Sequence, residues 1–92
     1  MQVFTSTTRL ARLVMDTGLL ADRFGAAGAD AIDLWLDRLD TASNVADLVG
    51  YGGISKAVHG EELVEALTAR VNVVLQVIDD ESVLILDVRG RS

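Results

Sequence analysis

Cysteine and proline are absent from the 92 residues, and His59 is the only histidine. Without cysteine the chain has no disulfide, no thiolate nucleophile and no zinc–thiolate site. A single histidine excludes a histidine pair for holding a metal, and we expect neither a metal nor a cofactor. No uncharged apolar run reaches about 18 residues, and the N-terminus lacks the features of a secretory signal, which predicts a cytoplasmic protein with no membrane segment.

Basic residues are the minority charge, because eight lysines and arginines stand against 14 acids and leave a net charge of −6. This balance disfavours broad binding to the phosphates of RNA or the ribosome. The charge is unevenly spread: aspartates dominate from Asp16 to Asp47, whereas the last four residues contain Arg89 and Arg91 and no acid. A local basic site is therefore compatible with the composition.

Aromatic residues make up only 4% of the chain, whereas half of its residues are apolar. The core is therefore expected to be aliphatic. A chain of this length buries roughly 60 to 65% of its unfolded surface, which is enough for one modest core. We therefore treat residues 1–92 as a single domain.

Residues 71–88, VNVVLQVIDDESVLILDV, give the strongest structural signal, because two β-branched apolar runs flank an acidic break. This pattern predicts a β-hairpin. A loop of two or four residues makes one face apolar through three facing pairs: Val73 with Val88, Leu75 with Leu86, and Val77 with Leu84. The other face is mixed and carries Arg89, which predicts a sheet with helices on one side only.

Helical spacing marks the N-terminal half of the chain. A helix is predicted to follow a short edge strand, 2–5, with Ser6 or Thr7 as its cap. Gly18 is predicted to end or kink it, or else it continues to Phe24 before a break at 25–28. The clearest helix runs from Asp30 to Asp40, where a core-facing stripe is anchored by Trp35 and also contains Ile32, Leu36 and Leu39. A short helix is predicted at 44–49.

The same helix carries a stripe of four aspartates, at positions 30, 33, 37 and 40. One hypothesis is a solvated face; the other is a docking surface for a basic partner, with Asp33 and Asp37 as binding residues. Helical carboxylates without a converging histidine or a loop cage are a poor metal signature.

The segment before the hairpin is less clear. Residues 50–53 are predicted to form a turn, and 54–58 a short strand that carries Lys56, a further candidate binding residue. Residues 61–70 fit both helical and strand spacing, and their alanine, leucine and glutamate content favours helix. The prediction is an α+β domain, with N-terminal helices packed on one face of a small antiparallel sheet that ends in a C-terminal hairpin.

Three short strings carry a family resemblance. Residues 39–48, LDTASNVADL, match a helical segment of the form hydrophobic-x-x-A-x-x-hydrophobic-x-x-L. His59-Gly60-Glu61 matches a Leu-x-Gly-acidic turn, and residues 68–72, TARVN, match a strand string around Arg-Ile-Asn. With the final hairpin, these strings resemble the RelE/ParE toxin superfamily, most nearly its HigB-like branch, over most of the chain.

The resemblance implies a toxin that cuts messenger RNA on the ribosome, or poisons gyrase, and is silenced by a bound antitoxin. Such cleavage needs a base for the ribose 2′-hydroxyl and cations for the developing charge. The candidate catalytic residues are His59, Arg70, Arg89 and Arg91. The family's aromatic–arginine pair is replaced here by Val73 and Val74, and its C-terminal tyrosine and histidine are absent.

The sequence leaves two classes of function open. The first is a RelE/ParE-like domain that binds RNA, the ribosome or an antitoxin, with its catalytic activity undecided. The second is a non-enzymatic interaction or assembly subunit, such as an oligomeric accessory or a phage-type structural protein. It would use the hairpin edge and the aspartate stripe as contact surfaces. Both classes predict a protein partner or self-association.

Overall fold

The computed structural model describes residues 1–56 and 58–90. Its elements are β1 (Gln2–Thr5), α1 (Thr8–Met15), α2 (Thr17–Thr41), α3 (Val45–Gly50), β2 (Glu62–Thr68), β3 (Val71–Asp79) and β4 (Ser82–Gly90). Helices packed against one four-stranded sheet confirm the predicted α+β class. Within the described ranges, no helix is both long enough and apolar enough to span a bilayer.

The four strands are arranged in the order β1–β4–β3–β2. β3 and β4 pair antiparallel, as predicted for the hairpin, and β2 pairs antiparallel with β3. β1 lies parallel to β4 and makes the sheet mixed. The predicted hairpin is β3–β4, and it occupies the middle of the sheet. β3 has a neighbour on each side, and β4 has a free edge only beyond Ile85, where its pairing with β1 ends. The hairpin therefore offers only part of the edge that the sequence predicts.

The hairpin register departs from the prediction at a β-bulge. Val73 does face Val88, but Leu75 faces Ile85 and Val77 faces Val83. The register shifts where β4 contributes one extra residue, Leu86, between the partners of Val74 and Leu75. A bulge reverses the alternation of the strand that carries it, which sequence parity alone does not reveal.

The helix predicted for residues 61–70 is wrong, because this segment forms β2. It pairs with β3 over most of its length, and Leu63 and Leu67 pack toward the helices. Pairing with a strongly β-prone neighbour overrides the local helix propensity of alanine, leucine and glutamate. The described residues of 54–58 form no regular strand either, and Lys56 lies in irregular backbone.

Gly25 divides α2 into two arms, 17–24 and 26–41. Its φ of 80° and ψ of 169° are not helical, and glycine adopts a positive φ at low cost. The break predicted at 25–28 is confirmed at Gly25 alone, because residues 26–28 are helical. The end or kink predicted at Gly18 is wrong. Asp16 separates α1 from α2 instead, and its carboxylate caps α2 by accepting a hydrogen bond from the Leu19 N–H at 3.1 Å.

The second arm of α2 supplies the helical side of the core. Trp35 is only 3% exposed, and its indole Nε1 donates a hydrogen bond of 2.7 Å to the Gly53 carbonyl. Ile32 and Leu39 are fully buried, so the predicted stripe faces the sheet. The arm approaches the sheet closely at Gly28, where an added Cβ would lie 3.2 Å from Val71. This packing leaves the other face of the sheet without helices.

Candidate binding groove

Arg70 and Arg89 lie at the same end of the sheet. Arg70 is in the turn before Val71, and Val71 faces Gly90 on β4, beside Arg89. Both arginine side chains are exposed. Arg89 points away from the helices, as predicted, because its neighbour Val88 is part of the core. Two of the four candidate catalytic residues are thus brought near each other.

His59 lies toward the opposite end of the sheet. Its backbone bridges to Val77, and its Nε2 lies 3.4 Å from Oδ1 of Asp80. Val77 is five residues beyond Asn72, the partner of Arg89, which corresponds to about 16 Å along the strand. The imidazole and the two arginines therefore do not converge, and Arg91 lies outside the described residues.

The candidate binding residues Asp33, Asp37 and Lys56 have different environments. Asp37 and Lys56 are exposed, the first on α2 and the second in the loop before β2. Asp33 is half-buried, and its Oδ2 accepts a hydrogen bond of 3.2 Å from the hydroxyl of Thr17. This bond joins the two arms of α2, so one member of the aspartate stripe contributes to the fold.

An open groove of about 850 Å³ lies between α1, the first arm of α2 and β4. Its apolar lining comes from Leu10, Leu13, Leu19 and Leu86. Its basic lining comes from Arg9, Arg12 and Arg23. We refer to this site as the leucine–arginine groove. Its volume falls within the range typical of ligand sites, roughly 300 to 1,000 Å³.

The charge of the leucine–arginine groove is opposite to that of the whole chain. Among the described residues, its three arginines form no ion pair with a carboxylate. Two acids also line the groove, but Asp87 is paired with Arg89 at 2.8 Å, which leaves Asp22. Three unpaired positive charges against one negative charge give a local balance of +2 in a chain whose net charge is −6.

A second depression, of about 390 Å³, continues the groove along the two helices. It shares Thr8, Arg12 and Leu19 with the groove and extends to Met15. Met15 is 86% exposed and Leu19 is 46% exposed, although both are large apolar side chains. The apolar surface is therefore elongated and accessible to solvent.

The sequence contains only a partial signal for this site. Arg9 and Arg12 are recognisable as the polar side of the first helix, and residues 1–23 contain more arginines than acids. The groove itself depends on the break at Gly25 and on the bulge at Leu86, because these two features place the first arm of α2 and the end of β4 beside α1. Neither placement follows from local periodicity.

Within residues 1–56 and 58–90, no cluster of three or more histidine or acidic side chains is arranged to bind a metal ion. No protein-family model, curated protein or solved structure gives a significant match to this chain.

Proposed function

We propose that this protein is a non-enzymatic protein-binding module whose leucine–arginine groove takes an acidic, apolar segment of a partner. The observation that carries the proposal is the presence of three unpaired arginines in the lining of a leucine-rich groove. Apolar side chains of the segment would contact the leucines, and its carboxylates would pair with the arginines. Such a partner is common to both classes of function considered from the sequence, since an antitoxin and an assembly partner are each proteins.

Charge complementarity favours an anionic occupant. The positive charge of the groove attracts an acidic segment, whereas the net charge of −6 on each chain makes two copies of this protein repel each other overall. Charged pairs at the rim mainly govern the association rate and the choice of partner, whereas burial of apolar area supplies affinity. The groove offers charges for the association rate and choice of partner through Arg9, Arg12 and Arg23, and apolar area for affinity through exposed Leu19.

The elongated shape favours a polypeptide over a compact small molecule. Small-molecule sites enclose most of their ligand, whereas this groove is open and continues through Leu19 toward exposed Met15. A chain segment can follow such a surface and contact both depressions. The proposed ligand is therefore a peptide segment that combines acidic and apolar residues.

Selection from a library of short random peptides displayed on phage tests this proposal with the purified protein. Peptides that bind the wild type should be enriched in acidic and apolar residues. The Arg9→Glu/Arg12→Glu variant should bind them at least about tenfold more weakly, because two attractive charges become repulsive. The matched control is Arg38→Glu/Lys56→Glu, which changes the net charge equally at exposed positions outside the groove and should retain affinity within about twofold.

Three outcomes would contradict the proposal. They are a selection that yields no binders, selected peptides without acidic residues, and equal weakening by the groove variant and its control. Both variants are expected to fold, because all four substituted side chains are exposed. Circular dichroism checks that they do.

A second candidate function is contact with RNA or the ribosome, as the toxin resemblance implies. The observation that favours it is the placement of Arg70 and Arg89 at one end of the sheet, where two guanidinium groups can contact phosphates. In a cell-free translation extract, the wild type should then inhibit synthesis and a folded Arg70→Ala/Arg89→Ala variant should not. Unimpaired translation at micromolar wild-type protein would contradict this candidate and leave the protein-binding proposal standing.

A further inference from the structure

The edge of β4 that adjoins the leucine–arginine groove has no neighbouring strand. β1 pairs with β4 only from Ser82 to Ile85. The last contacts across this boundary are made by Ser6, whose N–H donates to the Ile85 carbonyl at 3.0 Å and whose hydroxyl donates to the Leu86 carbonyl at 3.1 Å. From residue 87 to residue 90, β4 therefore pairs on one side only, with β3, and Leu86 is the unpaired bulge residue.

At this edge the side chain of Asp87 supplies a hydrogen-bond acceptor that a neighbouring strand would otherwise supply. Its Oδ1 accepts a hydrogen bond of 2.9 Å from the Val88 backbone N–H, and its Oδ2 accepts one of 2.8 Å from Arg89 Nε. In a strand with neighbours on both sides, each backbone N–H donates to a carbonyl of an adjacent strand. At Val88 this acceptor is a side-chain carboxylate that a rotation about its own side-chain bonds can remove.

The sheet has three free edges: the outer sides of β1 and β2, and the part of β4 beyond Ile85. β1 carries no charged residue and does not line the leucine–arginine groove. The charged residues of β2, Glu62 and Glu65, are both acidic, and acidic edge residues discourage strand addition by an acidic segment. The free part of β4 instead borders the groove, because Leu86 and Asp87 line it together with the arginines of α1 and α2. An acidic segment is therefore directed to β4.

We infer that the partner segment binds in extended conformation, as a strand added to β4 beyond the end of β1. This inference rests on the proposed function and specifies how the partner binds. A carbonyl of the segment replaces Asp87 as the acceptor for the Val88 N–H, and Asp87 keeps its ion pair with Arg89. Addition of a strand to a sheet edge gains backbone hydrogen bonds. A helix in the same groove could not form them along its length, because its N–H and C=O groups are paired with each other except at its two ends.

The inference predicts the sequence pattern of the segment. Successive side chains of a strand point to opposite faces, so alternate residues would lie over Leu10, Leu13 and Leu86 on the helical side. Peptides selected by the wild-type protein should therefore show apolar residues at every second position, with acidic residues at the rim. A helical ligand would instead repeat its apolar residues at intervals of three and four.

Backbone N-methylation of a selected peptide tests the strand directly. Two versions are synthesised, each methylated on one of the two alternating sets of amide nitrogens. The set that faces β4 should lose affinity about tenfold or more, because each methyl group removes one hydrogen-bond donor and clashes with the edge, whereas the other set should bind nearly as the parent does. In ¹⁵N-resolved NMR spectra, the Val88 amide of the protein should shift on binding and become protected from exchange.

Asp87 variants separate the loss of its charge from the loss of its acceptor. Asp87→Asn keeps an oxygen for the Val88 N–H, whereas Asp87→Ala leaves this N–H free for the peptide. Affinity should therefore be a few-fold higher for the alanine variant than for the asparagine variant. The matched control is Asp79→Ala, since Asp79 accepts an equivalent backbone bond of 2.8 Å from the Glu81 N–H in the turn, and it should not change affinity.

The outcomes distinguish this inference from the proposed function. Helical spacing in the selected peptides, equal tolerance of both methylation patterns, or an unaffected Val88 amide would overturn the added strand while binding to the groove persists. Binders that are insensitive to Arg9→Glu/Arg12→Glu would overturn the proposed function itself.

Discussion

The two arms of α2 use apolar and charged residues in different ways. In the second arm, 26–41, Ile32, Trp35 and Leu39 form a buried stripe, and the aspartates lie away from it. Leu34 of this arm is 54% exposed but lies outside the leucine–arginine groove. In the first arm, 17–24, Leu19 remains 46% exposed beside unpaired arginines. A charged stripe opposite a buried stripe is the ordinary pattern of a surface helix. An exposed leucine that lines a groove with three unpaired arginines departs from this pattern, and the proposed docking site rests on it.

The largest expected effect concerns the buried side of the second arm. Trp35→Ala should lower the free energy of unfolding by about 3 to 5 kcal/mol, because it empties the core position and leaves the Gly53 carbonyl without its indole donor. Denaturation by urea, followed by circular dichroism, measures the change. The paired control is Leu19→Ala in the first arm, where about half of the side chain is already exposed and the loss should stay below about 1 kcal/mol.

Similar losses for the two substitutions would remove the contrast between the arms. A Trp35→Ala midpoint close to that of the wild type would show that the tryptophan is not the anchor of the core.

Some parts of the fold could be predicted from the sequence and others could not. The hairpin, the Trp35 stripe and the capped helix starts depend on neighbours a few residues apart, and local spacing predicts them. The strand at Glu62–Thr68 and the parallel placement of β1 depend on pairing with distant residues. No local pattern distinguishes them from the alternatives.

The candidate site was less predictable than the fold, for the same reason. The family resemblance groups His59 and Arg89 as site residues because it implies a reaction for them, whereas the structure separates them along β3. The groove is formed by Arg12, Leu19 and Leu86, which no spacing rule connects. Their convergence requires a glycine break in α2 and an extra residue in β4. Both features change the direction of the backbone, which the amino-acid composition of the segments does not reveal.

An intermediate effect is expected at the junction of the two arms. Gly25→Ala should cost about 1 to 2 kcal/mol of unfolding free energy, because alanine is strained at a φ of 80°. The control is Gly50→Ala, since an added Cβ meets no atom within 4 Å at either position but only Gly25 has a positive φ. Gly50→Ala should be neutral or slightly stabilising, because alanine restricts the unfolded chain more than glycine does.

The Gly25→Ala variant should also bind the selected peptides more weakly, since relief of the strain would turn the first arm relative to β4. Thermal unfolding and peptide titration of the same samples give both values. Equal stability of the two alanine variants would show that the direction of the first arm does not depend on the glycine.

The smallest effect is expected on the acidic side of the second arm. Asp33→Asn/Asp37→Asn should change the free energy of unfolding by no more than about 0.5 kcal/mol, with a slight gain, because it relieves a like-charge pair four residues apart. Asparagine retains an oxygen for the Thr17 hydroxyl, so the bond between the arms is preserved. Binding of acidic peptides to the groove should stay within about twofold of the wild type.

Asp33→Ala separates the two roles of that residue, because it removes both the charge and the acceptor. It should cost about 0.5 kcal/mol more than Asp33→Asn, the low end of the usual net value of one hydrogen bond, because the bond to Thr17 is exposed to solvent. A basic protein that binds the wild type and loses affinity with the double asparagine variant would establish the stripe as a docking surface. The two arms would then carry binding surfaces of opposite charge. Burial of the apolar stripe would no longer show that the second arm has only a structural role.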